Sequence, residues 1–286
     1  HYRPDVSILT GIEFDHVDIF KDLDQIKDAF RKYVDLIRPE GVILVKYGDT
    51  NIQDVLGEAV CRVETYGYLD GADWRIGDYR FEGGYGCFSL SYQGGKKADF
   101  QLAMIGRHNV ENAAAVAALC IGLGLTADEI NSAFKSFQGI KRRQEVVGIK
   151  KGVTVLDDFA HHPTAIRLTL EAVKEAYPGQ RVWAVFEPRS ATSRRKVFEQ
   201  EFPDSFLAAD QVIFAGLFAP EKIKEEDRLD PERVVGLIRQ KGGNANFIAE
   251  VDDIVAFIAE NAENGDVVLV MSSGGFGGIH QKILDR

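Results

Sequence analysis

Val153-Thr154-Val155-Leu156-Asp157-Asp158-Phe159-Ala160-His161-His162-Pro163 decides the fold of this chain. The first four residues are apolar or β-branched and predict a buried strand. Beyond Pro163, residues Ile166, Leu168, Leu170 and Val173 mark an amphipathic helix. The polar stretch between them therefore sits at the carboxyl end of a strand, where ligands collect in an open α/β sheet. Two carboxylates and two imidazoles within seven residues are costly to bury without partners. The chain has six histidines, and four of them (His16, His108, His161, His162) fall in three short polar segments that each follow an apolar run. Any one segment reads as a structural histidine or a capping aspartate; the three together point to a shared site.

Outward from this stretch the pattern is regular. Strands at 153–157, 182–186, 211–215, 245–248 and 266–271 alternate with helices near 163–176, 194–207, 231–241, 251–263 and 276–285. That alternation predicts a mostly parallel, Rossmann-like sheet with helices on both faces. The preceding half differs. Residues 5–10 read as a buried strand, Leu23 to Ile37 as a helix ended by Pro39-Glu40-Gly41, and Val42 to Val45 as another strand. Between 60 and 105 the period shifts toward two, with breaks at Gly83-Gly84 and Gly94-Gly95, which predicts antiparallel hairpins. Helices are expected at 109–123 and 127–137, the second with Asp128 in its opening turn, where the helix dipole favours negative charge. The basic, glycine-containing stretch Gly139 to Arg143 reads as a linker, so the chain divides into α/β domains at 1–144 and 145–286.

The 286 residues suffice for about two domains, and 45% apolar with 27% charged residues is ordinary for a globular protein. No apolar run approaches the ~20 residues of a membrane span. A net charge of −10 argues against non-specific nucleic-acid binding, though a local basic cluster still suits a phosphate. Cys61, Cys87 and Cys120 form neither a disulfide framework nor a zinc pattern, which fits a reducing cytoplasm. The chain opens on His1, almost inside a strand, so a preceding segment is expected to be missing.

Six segments carry chemistry. Glu13-Phe14-Asp15-His16 follows the first strand and has groups suited to Mg²⁺ beside phosphates, or is a polar loop before the next helix. Gly106-Arg107-His108-Asn109-Val110-Glu111-Asn112 opens a helix with two carboxamides three apart, able to pair with an adenine edge or simply to cap. Lys141-Arg142-Arg143 is a phosphate clamp or a solvated basic turn. The Asp157–Pro163 loop is the fourth. Glu187-Pro188-Arg189-Ser190-Ala191-Thr192-Ser193-Arg194-Arg195 follows a strand with hydroxyls and guanidiniums suited to a carboxylate or phosphate, or with Thr192 or Ser193 as a helix cap. Ser272-Ser273-Gly274-Gly275-Phe276-Gly277-Gly278 permits close backbone approach, or is a glycine-rich turn for packing. No GxxxxGK[ST] phosphate loop occurs; Gly94-Gly95-Lys96-Lys97 reads as a hairpin turn.

These segments, in this order, resemble the central and C-terminal domains of the Mur ligase family of bacterial peptidoglycan enzymes, over essentially the whole chain. Gly106–Asn112 resembles the family's GxHNxxN adenine segment, Arg143-Gln144-Glu145 its phosphate-facing arginine, and Asp157–Pro163 its DD(Y/F)xHHP segment. The last occurs in two branches. One adds L-alanine to UDP-N-acetylmuramate; the other adds the recycled tripeptide L-alanyl-γ-D-glutamyl-meso-diaminopimelate. Glu187-Pro188-Arg189-Ser190 and the run Ser272 to His280 are similar to the tripeptide branch.

The resemblance implies an ATP- and Mg²⁺-dependent ligase that activates the UDP-N-acetylmuramate carboxylate as an acyl phosphate for attack by an amine. It implies His16 at the Mg²⁺, Asn109 and Asn112 at adenine, Arg143 at the γ-phosphate, and Asp158 at the ribose or a neighbouring phosphate. His161, Arg189, Ser190 and Thr192 would bind the peptide, with His16, Arg143 and His161 in catalytic roles. Arg31 falls nearest the place where several members carry a carbamylated lysine, with Lys32 beside it, so carbamylation is not expected. Without a phosphate loop these residues alone are expected to turn over no ATP. The rival readings are the L-alanine-adding ligase and a non-catalytic binding or assembly module.

Overall fold

The computed structural model describes residues 3–57 and 59–286. The chain forms two compact units, His1–Gln138 and Gly139–Arg286. The division falls before the basic stretch at 139–143, six residues ahead of the boundary expected after residue 144; Gly139 to Gln144 belong with the second unit.

In the first unit β1 (Val6–Leu9), α1 (Leu23–Val34), β2 (Val42–Lys46), α2 (Thr50–Leu56) and β3 (Arg62–Gly67) lead into β4 (Trp74–Glu82), β5 (Tyr85–Tyr92) and β6 (Gly95–Leu102). Then come α3 (Arg107–Gly122) and α4 (Ala127–Ser136). The strands lie in the order β1-β2-β3-β4-β5-β6. Pairing is parallel from β1 to β4 and antiparallel from β4 to β6. The expected hairpins are β4 to β6, whereas β3 runs parallel to both neighbours. The pleat divides β2 between two cores. Ile43 and Val45 pack with Ile26, Val34, Ile52 and Val55 of α1 and α2, while Leu44 packs with Tyr66, Phe88 and the alanines of α3. Gly86 lets α3 approach, since a Cβ there would lie 2.9 Å from Val110. Thr126 caps α4 in a reciprocal box with Glu129. The sequence reading lacks α2, a helix of only two turns whose start is fixed by Asp49 accepting from the Ile52 amide.

The second unit runs β7 (Glu145–Lys150), β8 (Val153–Asp158), α5 (Pro163–Ala176), β9 (Val182–Phe186), α6 (Phe202–Ser205) and β10 (Gln211–Phe214). It continues through α7 (Pro231–Gln240), β11 (Ala245–Phe247), α8 (Val251–Asn261), β12 (Val267–Met271) and α9 (Ile279–Asp285). Strand order is β11-β10-β9-β12-β8-β7, parallel throughout except for β7. Strands β9 and β12 are buried at every position, as strands covered on both faces must be. Strand β7, absent from the sequence reading, is an edge with a bulge between Val146 and Gly148, and Val146, Val147 and Ile149 are exposed along it.

One expected helix is corrected. Residues 194–207 hold only a short 3₁₀ turn, Lys196–Phe198, and the four-residue α6. Ser190 and Ser193 bond to each other and to nearby amides, which draws the backbone away from a helix, and Pro203 supplies no N–H for a preceding turn. The last helix starts late as well: Gly277 is left-handed, so a 3₁₀ turn at Phe276–Gly278 precedes α9.

Candidate active site

Strands β8, β12 and β9 are neighbours, so the loops leaving their carboxyl ends, at 159–162, 272–278 and 187–195, meet at one edge of the second sheet. Hydrogen bonds from the Ser272 amide to the Asp158 carbonyl and from the Glu187 amide to the Met271 carbonyl extend the pairing into these loops.

The paired aspartates divide their work. Asp158 is 2% exposed, and its carboxylate accepts from the backbone amides of Gln144 and Ala160. Burial lifts its carboxyl above the usual aspartate range, against the two amides and the nearby Arg143 charge. The carboxylate expected at the ribose or a neighbouring phosphate thus receives two backbone amides here, and through the Gln144 amide it anchors the 141–144 turn. Asp157 lies 3.3 Å from Arg142 Nε on one oxygen and 3.3 Å from His280 Nε2 on the other. The His280 contact is close enough for an ion pair but is not aligned as a hydrogen bond, although both atoms are sealed from solvent.

Arg142 and Gln144 both adopt left-handed backbone, φ 60° and 53°. The turn survives this because its groups are tied on several sides. The Arg142 amide donates to Glu145, its carbonyl accepts from the Phe159 amide, and its Nη2 donates to the carbonyls of Ser272 and Gly274. Arg143, between the two, is exposed; its amide donates to the Ile140 carbonyl, and its guanidinium lies 5.6 Å from the Phe159 ring centroid. Of the basic triplet, Arg142 is structural and Arg143 is presented.

The two histidines of the loop also differ. His162 caps α5, accepting from the Thr164 amide, and packs edge-on to Phe198. His161 is half-buried, with Nδ1 2.9 Å from the Phe159 carbonyl. Past β9, the Arg189 guanidinium carbon lies 3.6 Å from the Phe218 ring centroid, with Nη1 3.5 Å from Glu187. Glu187 is buried and accepts from Ser272 Oγ at 2.5 Å. Ser190 is half-buried and bonds Ser193. Thr192, expected at the peptide, is 1% exposed and faces the interior. The second unit thus gathers Arg143, Asp158, His161, Arg189 and Ser190 at one sheet edge.

The first unit holds the other expected residues. Gly106 precedes α3 at φ 91° with no side-chain cap. Asn112 is exposed on α3, and the Asn109 amide nitrogen donates to the Ile105 carbonyl, leaving Asn112 the more accessible carboxamide. His16 is exposed, at φ 55°, after β1, and its amide donates to Asp15. Asp49 and Asn51 fix the start of this loop by bonding the Ile12 amide and carbonyl. No cluster of three metal-ligating side chains exists among the described residues. No described helix is long and apolar enough to cross a membrane.

Sequence reasoning overlooked Glu187, Phe218 and Gly274 as neighbours of Arg189, and Asp157 and Arg142 as turn anchors. Glu187 stood in a quoted segment, but only the fold brings it to Ser272.

Comparison with known proteins agrees with this layout. Residues 1–120 match the family described as "Mur ligase middle domain", and 142–274 match "Mur ligase, glutamate ligase domain". A UDP-N-acetylmuramate–L-alanine ligase of Caldanaerobacter subterraneus is 34% identical over 286 residues, covering 100% of this chain and 62% of that relative. A murein peptide ligase structure from Psychrobacter arcticus is 30% identical with a TM-score of 0.68, covering 99% of this chain and 57% of that one. A UDP-N-acetylmuramate–alanine ligase structure from Thermotoga maritima has the same fold, with a TM-score of 0.78 at 19% identity, over 100% of this chain and 60% of that one. The chain thus spans less than two thirds of the length of these relatives.

Proposed function

The chain belongs to the Mur ligase family, and from that premise we propose that the full-length protein is an ATP-dependent ligase of peptidoglycan synthesis. It joins the carboxylate of UDP-N-acetylmuramate to an amine through an acyl phosphate. Phosphorylation makes the carboxylate an electrophile; the amine attacks, and the tetrahedral intermediate expels phosphate to leave an amide. Arg143, held outward by its clamped turn, would stabilise charge on the transferring phosphate. Asn112 would read the adenine edge, with Asn109 beside it. His16 would hold Mg²⁺, which when bound neutralises phosphate charge. His161 would orient the incoming amine.

We assign the amine as the tripeptide L-alanyl-γ-D-glutamyl-meso-diaminopimelate, which would place the protein in peptidoglycan recycling. The observation that carries this is Arg189. Its guanidinium stacks on the Phe218 ring and reaches Glu187 at 3.5 Å, and Ser190 stands next to it. Such a fork suits a carboxylate set back from the reacting amine. A second reading, L-alanine as the amine, is favoured by the names of the curated relatives at 34–35% identity. The 286 residues lack a phosphate loop, so we expect turnover only from the full-length protein.

The test is an amine panel with full-length protein, ATP and UDP-N-acetylmuramate, read as phosphate release. Tripeptide preference supports the assignment. Preference for free L-alanine transfers it to the second reading, and no amine-dependent release sinks both.

A further inference from the structure

The segment Ser272-Ser273-Gly274 is touched by two arginines. Arg142 Nη2 donates to the carbonyls of Ser272 and Gly274. The Gly274 amide donates back to Ser272 Oγ at 2.9 Å, and that hydroxyl donates to Glu187. Two of the segment's carbonyls, the Gly274 amide and the Ser272 hydroxyl are thereby fixed. Arg189 lies directly against its last residue: a Cβ built on Gly274 would stand 1.8 Å from Arg189 Nε, 2.2 Å from Cδ and 2.3 Å from Cζ. No Cβ fits there with Arg189 in place. Nor does the backbone itself call for glycine, because Gly274 is not among the positive-φ residues. The absence of a side chain at 274 serves the neighbouring guanidinium.

We propose that Gly274 is a positioning and specificity-determining residue: its bare Cα is the seat that holds the Arg189 guanidinium against Phe218 and Glu187. The specificity half rests on reading Arg189 as the carboxylate anchor of the amine substrate. The Phe218 face and the Glu187 oxygen each touch the guanidinium, and the bare Cα gives it room to reach both. A guanidinium so held loses less rotamer freedom when it takes up a carboxylate. Any residue larger than glycine pushes Arg189 off the seat without straining the backbone, so the effect falls on recognition and not on folding.

Two arms test this. The first uses the 286-residue chain and reads the side-chain Nε–Hε NMR signal of Arg189, assigned by its loss in Arg189→Lys. Stacked 3.6 Å from the Phe218 centroid, the signal is expected to be shifted by the ring current. Phe218→Leu gives the reference position without the ring. Gly274→Ala is expected to move the signal toward that reference while the unfolding midpoint stays close to wild type. An Arg189 signal unmoved by Gly274→Ala overturns the seat, whatever the protein's activity.

The second arm uses full-length protein. Gly274→Ala is expected to raise the KM for the tripeptide by about tenfold or more, the scale of one lost directed charge contact, with the KM for ATP within about twofold. In an Arg189→Ala background the same substitution is expected to add nothing, because the seat has no occupant. An equal rise in that background overturns the proposal. If wild type turns over neither amine, the ligase reading fails and the NMR arm alone decides the seat.

Discussion

Arg143 stands between two residues held in left-handed backbone, and the hydrogen bonds that tie the turn come from neighbouring side chains and from backbone amides, its own to the Ile140 carbonyl included. Arg143→Ala therefore removes an exposed guanidinium and leaves the turn standing. We expect turnover of the full-length protein to fall by about 100-fold or more with the unfolding midpoint nearly unchanged, and Arg143→Lys to restore only part, since the planar fork is lost. Near-normal turnover in the alanine variant sinks the phosphate role. Asp158 has a different signature. Burial lifts its carboxyl, so its contribution to stability is fully present below the ordinary value near 3.8 and is lost as pH rises through the lifted one. Asp158→Asn removes that titration at the cost of one amide bond. Wild type is expected to lose stability relative to the variant as pH rises from about 4, by urea midpoints across the acid-to-neutral range; parallel curves would show that Asp158 titrates normally.

At the scale of elements, the amino ends of β9 and β12 are fastened by one carboxylate. Asp266 accepts from Arg181 Nη2 at 2.6 Å, from the Trp183 indole at 2.9 Å and from the Glu263 amide at 2.9 Å. Burial works against its ionisation, but these donors outweigh it and hold the carboxyl below the usual range. Its stabilisation is present above the ordinary value and is lost as pH falls through the lowered one. Asp266→Asn is expected to cost the second unit roughly 2–3 kcal/mol at neutral pH, a penalty that shrinks in strong acid. A penalty independent of pH would mean that packing, not charge, holds this corner. Elements like β9 and β12 were legible in the sequence because strands buried on both faces read as unbroken apolar runs. Helix α5 was legible because His162-Pro163 announces its start. The failures have local causes as well. Serine bonding and Pro203 dissolved the helix expected at 194–207, and the bulge in β7 erased its alternation. Within the site, Arg189 and Ser190 were visible from their place after a strand. The glycines at 274–278 were visible as room for a close approach, but not that Gly274 lies against Arg189, because the two are distant in sequence.

For the whole molecule, each unit carries its own core: Leu44, Tyr66, Phe88 and the α3 alanines in the first, Val155, Trp183, Ile213 and Val268 in the second. Residues 139–286 expressed alone are expected to unfold cooperatively and to keep the Asp266 pH signature. Loss of a cooperative transition would show that the second unit borrows stability from outside itself. The bulged edge strand β7 bears on how the protein behaves in concentrated solution. A straight strand with Val146, Val147 and Ile149 exposed would offer a neighbouring chain a ready ladder to extend. The extra residue breaks the rhythm of donors and acceptors, so an incoming strand finds mismatched partners. Deleting Val147 would straighten that border. The shortened protein is expected to scatter light and bind amyloid dyes at concentrations where the parent stays clear, and a deletion variant that stays equally clear would mean the kink is not what keeps molecules apart.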